Sequence, residues 1–384
     1  MIVFFRLILA ALFLGIFSLD CGAHTPIFDT KAKQAYLVDF HSGAVLLAKN
    51  SEQKMSPSSM TKMMTAYVAL MRLKQNDLKE NDLFHTSDRA FRMGGSRMFL
   101  EIGSDVMLKD LLLGVLVLSG NDASVAMAEG ISGSEEAFAT EMNHVGGQLG
   151  MTQTNFVNAS GWPSQGHYST AKDIAILGVR TIQDFPEFYK QLYSIPSFEH
   201  NGVLQPNRLP LLGEEQYGVD GLKTGFTDDG GYGVCLSCEK KGTRIVLVIN
   251  GLKTEKARRD EARSLITWAM AQFRTVKVAT KDVGLSEFDV WLGSKNRISV
   301  ATNKDVYFTL ARRDVQGLKA EVRVNAPLPA PLKKGDEVGQ LIVTGSSVQD
   351  EISVPVFAME DVGAIGFFGK ISHGLHYLLF GHSE

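Results

Sequence analysis

The sequence predicts an α/β domain built on one central antiparallel sheet flanked by helices, then a small all-β domain, then an amphipathic C-terminal helix. Three observations carry that reading. Strand-like runs stand near both ends of residues 24–274 with helical patterns between them, so one sheet would be completed from both ends of the domain. After about Arg274 the texture changes to short alternating runs separated by turn residues, which marks residues 275–360 as a separate β unit. The final stretch, residues 361–384, carries apolar side chains at helical spacing. A chain of 384 residues is also long for a single core.

The elements follow in order. Residues 1–23 hold one cation (Arg6), an apolar run from Leu7 to Phe17 and small residues at Cys21 and Ala23, the pattern of a secretory signal cleaved after Ala23. The run is short for a membrane span, and the Asp before Cys21 fits a lipid-attachment site poorly. The mature protein is therefore expected outside the cytoplasm. AYLVDFHSGAVLLAKN (Ala35 to Asn50) reads as a hairpin around a His-Ser-Gly turn. In SPSSMTKMMTAYVALMRL, which begins at Ser56, Met60, Met63, Met64, Tyr67, Val68 and Met71 form one buried helical stripe. FRMGGSRMF (Phe91 to Phe99) is Gly-rich and suits a flap. Helical patterns then dominate to about Leu192. YGVCLSCEKKGTRIVLVINGL (Tyr232 to Leu252) is a second hairpin turning at Lys241-Gly242, and ARRDEARSLITWAMAQF (Ala257 to Phe273) is an amphipathic helix. In the β unit, KAEVRV alternates strictly, NAPLPAPLKKGDE is a Pro-rich connection, and QLIVTG and EISVPVF are short strands.

Composition narrows the function classes. The apolar share of 45% and charged share of 21% are those of a globular protein. A net charge of -3 gives no footprint for nucleic acid. Three cysteines do not make a disulfide-stapled scaffold. Cys235 and Cys238 sit at odd spacing on a strand, which puts them on opposite faces and about 10 Å apart, too far for a bridge. With no second pair or nearby histidine they suggest no zinc, and neither metal nor cofactor is expected.

The chemistry-bearing residues begin with Ser59-Met60-Thr61-Lys62. At i, i+3 on a helix the two side chains share a face. A serine hydroxyl needs a base, and a lysine serves when burial or a neighbouring cation favours its neutral form; a helix N-terminus also opposes its charge. S-x-x-K recurs by chance about once or twice in such a chain. Here it also occurs at Ser51/Lys54 in a polar loop, at Ser169/Lys172 where Thr170 and Asp173 read as an N-cap pair, and at Ser237/Lys240 running off a strand. Only Ser59 is followed by an apolar helix that buries its lysine. Downstream stand Ser119-Gly120-Asn121, closing the apolar run LLLGVLVLSGND, and Lys223-Thr224-Gly225 on what reads as an edge strand. A second S-x-N, Ser294-Lys-Asn296, lies in the β unit.

In this order and context the three motifs, with the longer strings SGNDASVAMAE, GHYSTAKDIA, VDGLKTGFTD and EARSLITWA, resemble the serine penicillin-binding proteins, and closely the secreted D-alanyl-D-alanine carboxypeptidases of low molecular mass. The resemblance covers nearly the whole mature chain and implies a transpeptidase-like, β-lactamase-like catalytic domain. It implies that Ser59 is the acylated nucleophile and Lys62 its general base, that Ser119 relays a proton to the leaving amine, and that Asn121 holds the substrate's peptide amide. It implies further that Lys223 brings positive charge to the substrate carboxylate, that Thr224 binds that carboxylate, and that the Ser59 and Phe226 N–H groups form the oxyanion hole beside Gly225. Arg208 and Arg258 sit where family members have arginines, although a solvated surface role is their alternative. A histidine often follows K-T-G in this family; here Phe226 stands there and keeps its backbone N–H. The acidic motif of class A β-lactamases is not seen. The expected activity is removal of the terminal D-alanine from peptidoglycan stem peptides through an acyl-enzyme, with β-lactams acylating the same serine. The rivals are a D,D-endopeptidase on cross-links and a non-catalytic wall-binding scaffold. The tail, with Phe368, Ile371, Leu375, Leu378 and Leu379 on one helical face, is expected to lie on the outer face of the inner membrane, which would make the enzyme periplasmic.

Overall fold

A computed structural model of the chain describes residues 28–345 and 351–366. The predicted signal and the apolar face of the tail lie outside the described residues.

The first hairpin forms as expected, from β1 (Gln34–Asp39) and β2 (Val45–Lys49). A 3-10 turn, Ser58–Thr61, leads into α1 (Lys62–Lys74). A mainly helical stretch follows: β3 (Leu83–His85), α2 (Asp88–Phe91), β4 (Asp105–Met107), α3 (Leu108–Leu116), α4 (Asn121–Ser132), α5 (Glu135–Leu149), α6 (Ala171–Asp184) and α7 (Pro186–Leu192). The chain then returns to strand with the small hairpin β5 (Ser197–His200) and β6 (Val203–Pro206), followed by β7 (Val219–Thr227), β8 (Gly231–Lys240), β9 (Thr243–Leu252) and the long α8 (Glu255–Gln272).

The main sheet runs β2-β1-β9-β8-β7, antiparallel throughout. Strands from the two ends of the domain thus meet at β1 and β9, and β7, which carries K-T-G, is the edge. Each face of the sheet buries a different core. Cys235, Val246 and Val248 face the helical layer with α1 and α4 at its centre. Leu236, Cys238, Ile245 and Leu247 face α8. The alternation places Cys235 and Cys238 on opposite sides, both buried and both free thiols.

Helix α1 is buried more completely than one stripe requires. Ala66, Ala69 and Leu70 are as inaccessible as Met63 and Met64, because α1 runs through the middle of the helical layer; a helix apolar all round belongs in a core.

The β unit holds β10 (Phe273–Ala279), β11 (Ser286–Trp291), β12 (Arg297–Ala301), β13 (Val306–Ala311), β14 (Lys319–Val324), β15 (Leu328–Pro329), β16 (Glu337–Thr344) and β17 (Ile352–Ala358). Its sheet order is β14-β16-β17-β12-β11-β15, with β10 and β13 as a separate pair. Strand β10 follows α8 without a linker, and the expected division at Arg274 falls inside it. A polar joint fastens the two units. Buried Asp39 accepts from the N–H groups of His41 and Ser42 and from Thr275 Oγ1 (2.5 Å). Ser42 Oγ hydrogen-bonds Thr309 Oγ1 at 2.7 Å, and His41 stacks on Tyr307.

Candidate active site

Ser59 lies on the 3-10 turn and Lys62 is the first residue of α1, so the expected helix face is split between a 3-10 turn and the start of the α-helix. The pairing survives, because i and i+3 eclipse on a 3-10 turn. Lys62 Nζ donates to Ser59 Oγ (3.1 Å), Asn121 Oδ1 (2.7 Å) and the Ser160 carbonyl (2.6 Å). Ser59 is half-buried and open to a ligand, whereas Lys62 is 0% exposed. Burial lowers the Lys62 pKa to about 7; Arg208 pushes the same way, while Asp122 and Glu135 oppose it. A lysine so poised, touching a hydroxyl, can exchange a proton with it near neutral pH.

The turn itself is held in an unusual shape. Ser58 has φ +49°, and its Oγ hydrogen-bonds Thr227 Oγ1 on β7 at 2.8 Å. Gly225 lets β7 come this close: a Cβ there would meet the Pro57 carbonyl at 2.9 Å. Behind the turn, Thr61 Oγ1 and His167 Nε2 are 2.8 Å apart. His167 Nδ1 accepts the Val157 N–H, so the proton sits on Nε2 and is donated to Thr61. Burial, then the nearby Lys62, lowers the His167 pKa to about 4 and keeps this strut neutral. Gly161, at φ +77°, closes the back; a Cβ would stand 1.8 Å from the Ser58 carbonyl oxygen. Gly161→Ala should therefore displace the Ser59 turn and destabilise the domain by more than about 2 kcal/mol, read as a lowered Tm together with slowed penicillin labelling.

Ser119, Gly120 and Asn121 join α3 to α4. Ser119 is 3% exposed with φ +61°, an uncommon conformation for a side-chain-bearing residue. Besides accepting from Lys62, Asn121 donates from Nδ2 to the Gly94 carbonyl (2.8 Å). Its neighbour Asp122 is fully buried and accepts the N–H groups of Met98, Phe99 and Leu100. The Gly-rich stretch from Phe91 to Phe99 is thus a pinned wall of the site rather than a free flap. Trp162 packs beside Gly94 and Gly95.

On the opposite wall, β7 presents Lys223 and Thr224, both buried. Lys223 Nζ donates to the Thr224 carbonyl at 3.3 Å. Its pKa is pushed well down by burial, and further by Lys62, Arg208 and Arg258. Lys223, Arg208 and Arg258 thus form a basic group that a bound carboxylate would suit, with Arg258 also paired to Glu255 at 2.8 Å. The surface reading of Arg258 does not hold: it is 4% exposed, faces the Tyr232 ring, and has a buried Nε with no hydrogen-bond partner among the described residues. Arg208 is exposed, and with Arg258 it lines a cavity of about 470 Å3. Phe226 is 48% exposed and its ring packs on Tyr232, with centroids 4.2 Å apart.

The structure brings Ser59, Lys62 and Asn121 into direct contact, sets the Ser59 turn against β7 at Gly225, and places Arg208 and Arg258 on one cavity, with Ser119 on the α3–α4 joint and Lys223, Thr224 and Phe226 on β7. Sequence reading missed the Ser160 carbonyl, Asp122, Glu135 and His167. Asp122 directly follows the S-G-N triplet, and His167 lies inside GHYST, so both were within reach; a backbone carbonyl has no side-chain signature.

Comparison with known proteins shows the family and the fold. A family model described as D-alanyl-D-alanine carboxypeptidase matches residues 21–254, and one described as penicillin-binding protein 5, C-terminal domain, matches residues 273–364. D-alanyl-D-alanine carboxypeptidase DacA of Haemophilus influenzae is 37% identical over 345 residues, 88% of this chain and 87% of that one. The crystal structure of penicillin binding protein 5 from Haemophilus influenzae superposes with a TM-score of 0.81 at 36% identity, covering 89% of this chain and 100% of that one. The ampicillin-bound form of penicillin-binding protein D2 from Listeria monocytogenes matches at 28% identity and a TM-score of 0.58, over 63% of this chain and 98% of that one.

Proposed function

The chain belongs to the D-alanyl-D-alanine carboxypeptidase family and is a serine-type hydrolase of that kind, and on this premise we propose that Ser59 is its nucleophile and Lys62 the base that activates it. The observation that carries the assignment is the buried Lys62 amine, near neutrality and 3.1 Å from Ser59 Oγ. Ser59 Oγ attacks the carbonyl of the penultimate D-alanine as its proton passes to Lys62 Nζ. The N–H groups of Ser59 and Phe226 receive the oxyanion. Asn121 aligns the peptide amide, and Ser119 passes a proton to the leaving D-alanine nitrogen. Thr224, Lys223, Arg258 and Arg208 hold the terminal carboxylate; the unpartnered Arg258 Nε and the mutual repulsion of these cations favour an anion there. Water then releases the shortened stem peptide from Ser59. A β-lactam offers a carboxylate and a strained amide in one small unit and acylates the same oxygen.

The wider setting is part of the proposal. The leader pattern of residues 1–23 favours export to the periplasm, and the apolar face of the tail favours attachment to the outer face of the inner membrane. No described helix is long and apolar enough to cross a membrane. Purified protein incubated with stem pentapeptide should yield tetrapeptide and one free D-alanine by mass analysis. Intact pentapeptide after prolonged incubation with protein that still binds penicillin would refute the carboxypeptidase reading.

A further inference from the structure

Two hydrogen bonds cross one end of the cleft. Arg208 Nη1 donates to Ser96 Oγ at 2.5 Å, and Gln205 Nε2 donates to the Arg97 carbonyl at 3.0 Å. Donors and acceptors belong to opposite walls. Ser96 and Arg97 lie in the segment fixed to α4, where the Ser96 carbonyl accepts the Asn121 N–H and Asp122 holds Met98. Gln205 is on β6, and Arg208 leads into Leu209, which packs in the α8-side core.

The crossing adjoins the reacting centre: the Ser96 carbonyl accepts the N–H of Asn121 at 2.8 Å, and Asn121 Oδ1 accepts from Lys62 at 2.7 Å. The charge of Arg208 acts on Lys62, Lys223 and Arg258, and Arg208 shares its cavity with Arg258. This is the end of the cleft assigned above to the terminal carboxylate, and hence to the leaving residue. A chain continuing past that residue would have to pass the two bridges.

Resting on the reading of this site as a carboxypeptidase, we infer that the Arg208–Ser96 and Gln205–Arg97 bridges form a bar that sets specificity, admitting one terminal residue and excluding a leaving residue that carries a second stem peptide. Opening it from Ser96 and Gln205 keeps Arg208 and removes no group assigned to the chemistry, because neither of those side chains contacts Ser59 or Lys62. The bar acts on which amide can enter, so terminal cleavage is favoured over cross-link cleavage by access alone.

The test uses the whole protein with two purified substrates, stem pentapeptide and a D,D-cross-linked dimer, with product masses followed over time. Opening the bar with the pair Ser96→Gly and Gln205→Ala should raise kcat/KM on the dimer by about tenfold or more and leave that on pentapeptide within about threefold. Unchanged dimer cleavage, with pentapeptide turnover preserved, overturns the bar. If the double variant no longer takes up labelled penicillin, the two single variants are read in the same assay, and no rise in either also overturns it. Failure of the parent to release D-alanine from pentapeptide is a separate result: it removes the carboxypeptidase reading, whatever the variants do.

Discussion

Ser59→Ala should fold normally and take up labelled penicillin at least about 1,000-fold more slowly than the parent, whereas Ser51→Ala, Ser169→Ala and Ser237→Ala should label within about twofold of it. Four serines share the S-x-x-K spacing, and the lysines decide among them. Lys54 sits over the Tyr168 ring, 3.9 Å from its centroid. Lys172 is paired with Glu52 at 2.6 Å, and Lys240 donates to the Gln216 carbonyl. Only Lys62 reaches its own serine. The other three serines also have different surroundings: Ser51 lies in the turn after β2, Ser169 Oγ bonds Thr154, and Ser237 Oγ accepts from Arg244. Rapid labelling of a folded Ser59→Ala protein would transfer the nucleophile to another residue. Mass mapping of the labelled peptide identifies which.

The second large effect is expected at Lys62. A general base must be neutral before it can accept a proton, and the Lys62 pKa is lowered to about 7. Below that pH the amine is protonated, so acylation should fall about tenfold per pH unit. Above it the amine is free and the rate should level off. The rate therefore rises with pH, the direction required of a base. Lys62→Arg should be slower by about 100- to 10,000-fold, because a guanidinium keeps its proton over this range. Quenched acylation measured from pH 5 to 9 gives both results. A flat profile in the parent, or near-parental rates in the arginine variant, would take Lys62 out of the proton path.

Much of this architecture could be read from local patterns because the signals involved are local. Alternating strands and a Lys241-Gly242 turn specify β8 and β9. The i, i+3 placement of Ser59 and Lys62 holds on either kind of helix. Thr170 caps α6 by accepting the Asp173 N–H, as the N-cap pair predicts. What escaped depends on partners far away in the chain. The Ser160 carbonyl reaches Lys62 across 98 positions. Arg258 lies among the charges of KARRDEAR, a solvent-face pattern, yet the packing of α8 turns it into the cleft. The 3-10 turn was also hidden, because Ser58 adopts a positive φ only while Thr227 and the empty side of Gly161 make room for it. Burial of α1 on every side likewise follows from its neighbours rather than from its own periodicity.

The placement of the two cysteines on β8 has a consequence for how the enzyme tolerates its chemical surroundings. Cys235 and Cys238 point into separate cores, and burial raises both thiol pKa values, so neither offers a thiolate to an oxidant. The domain that holds the site therefore reaches its working shape without an oxidising partner and keeps it in the presence of a reductant. Its redox indifference is a product of strand parity: moving either cysteine by one position along β8 would put both on the same face.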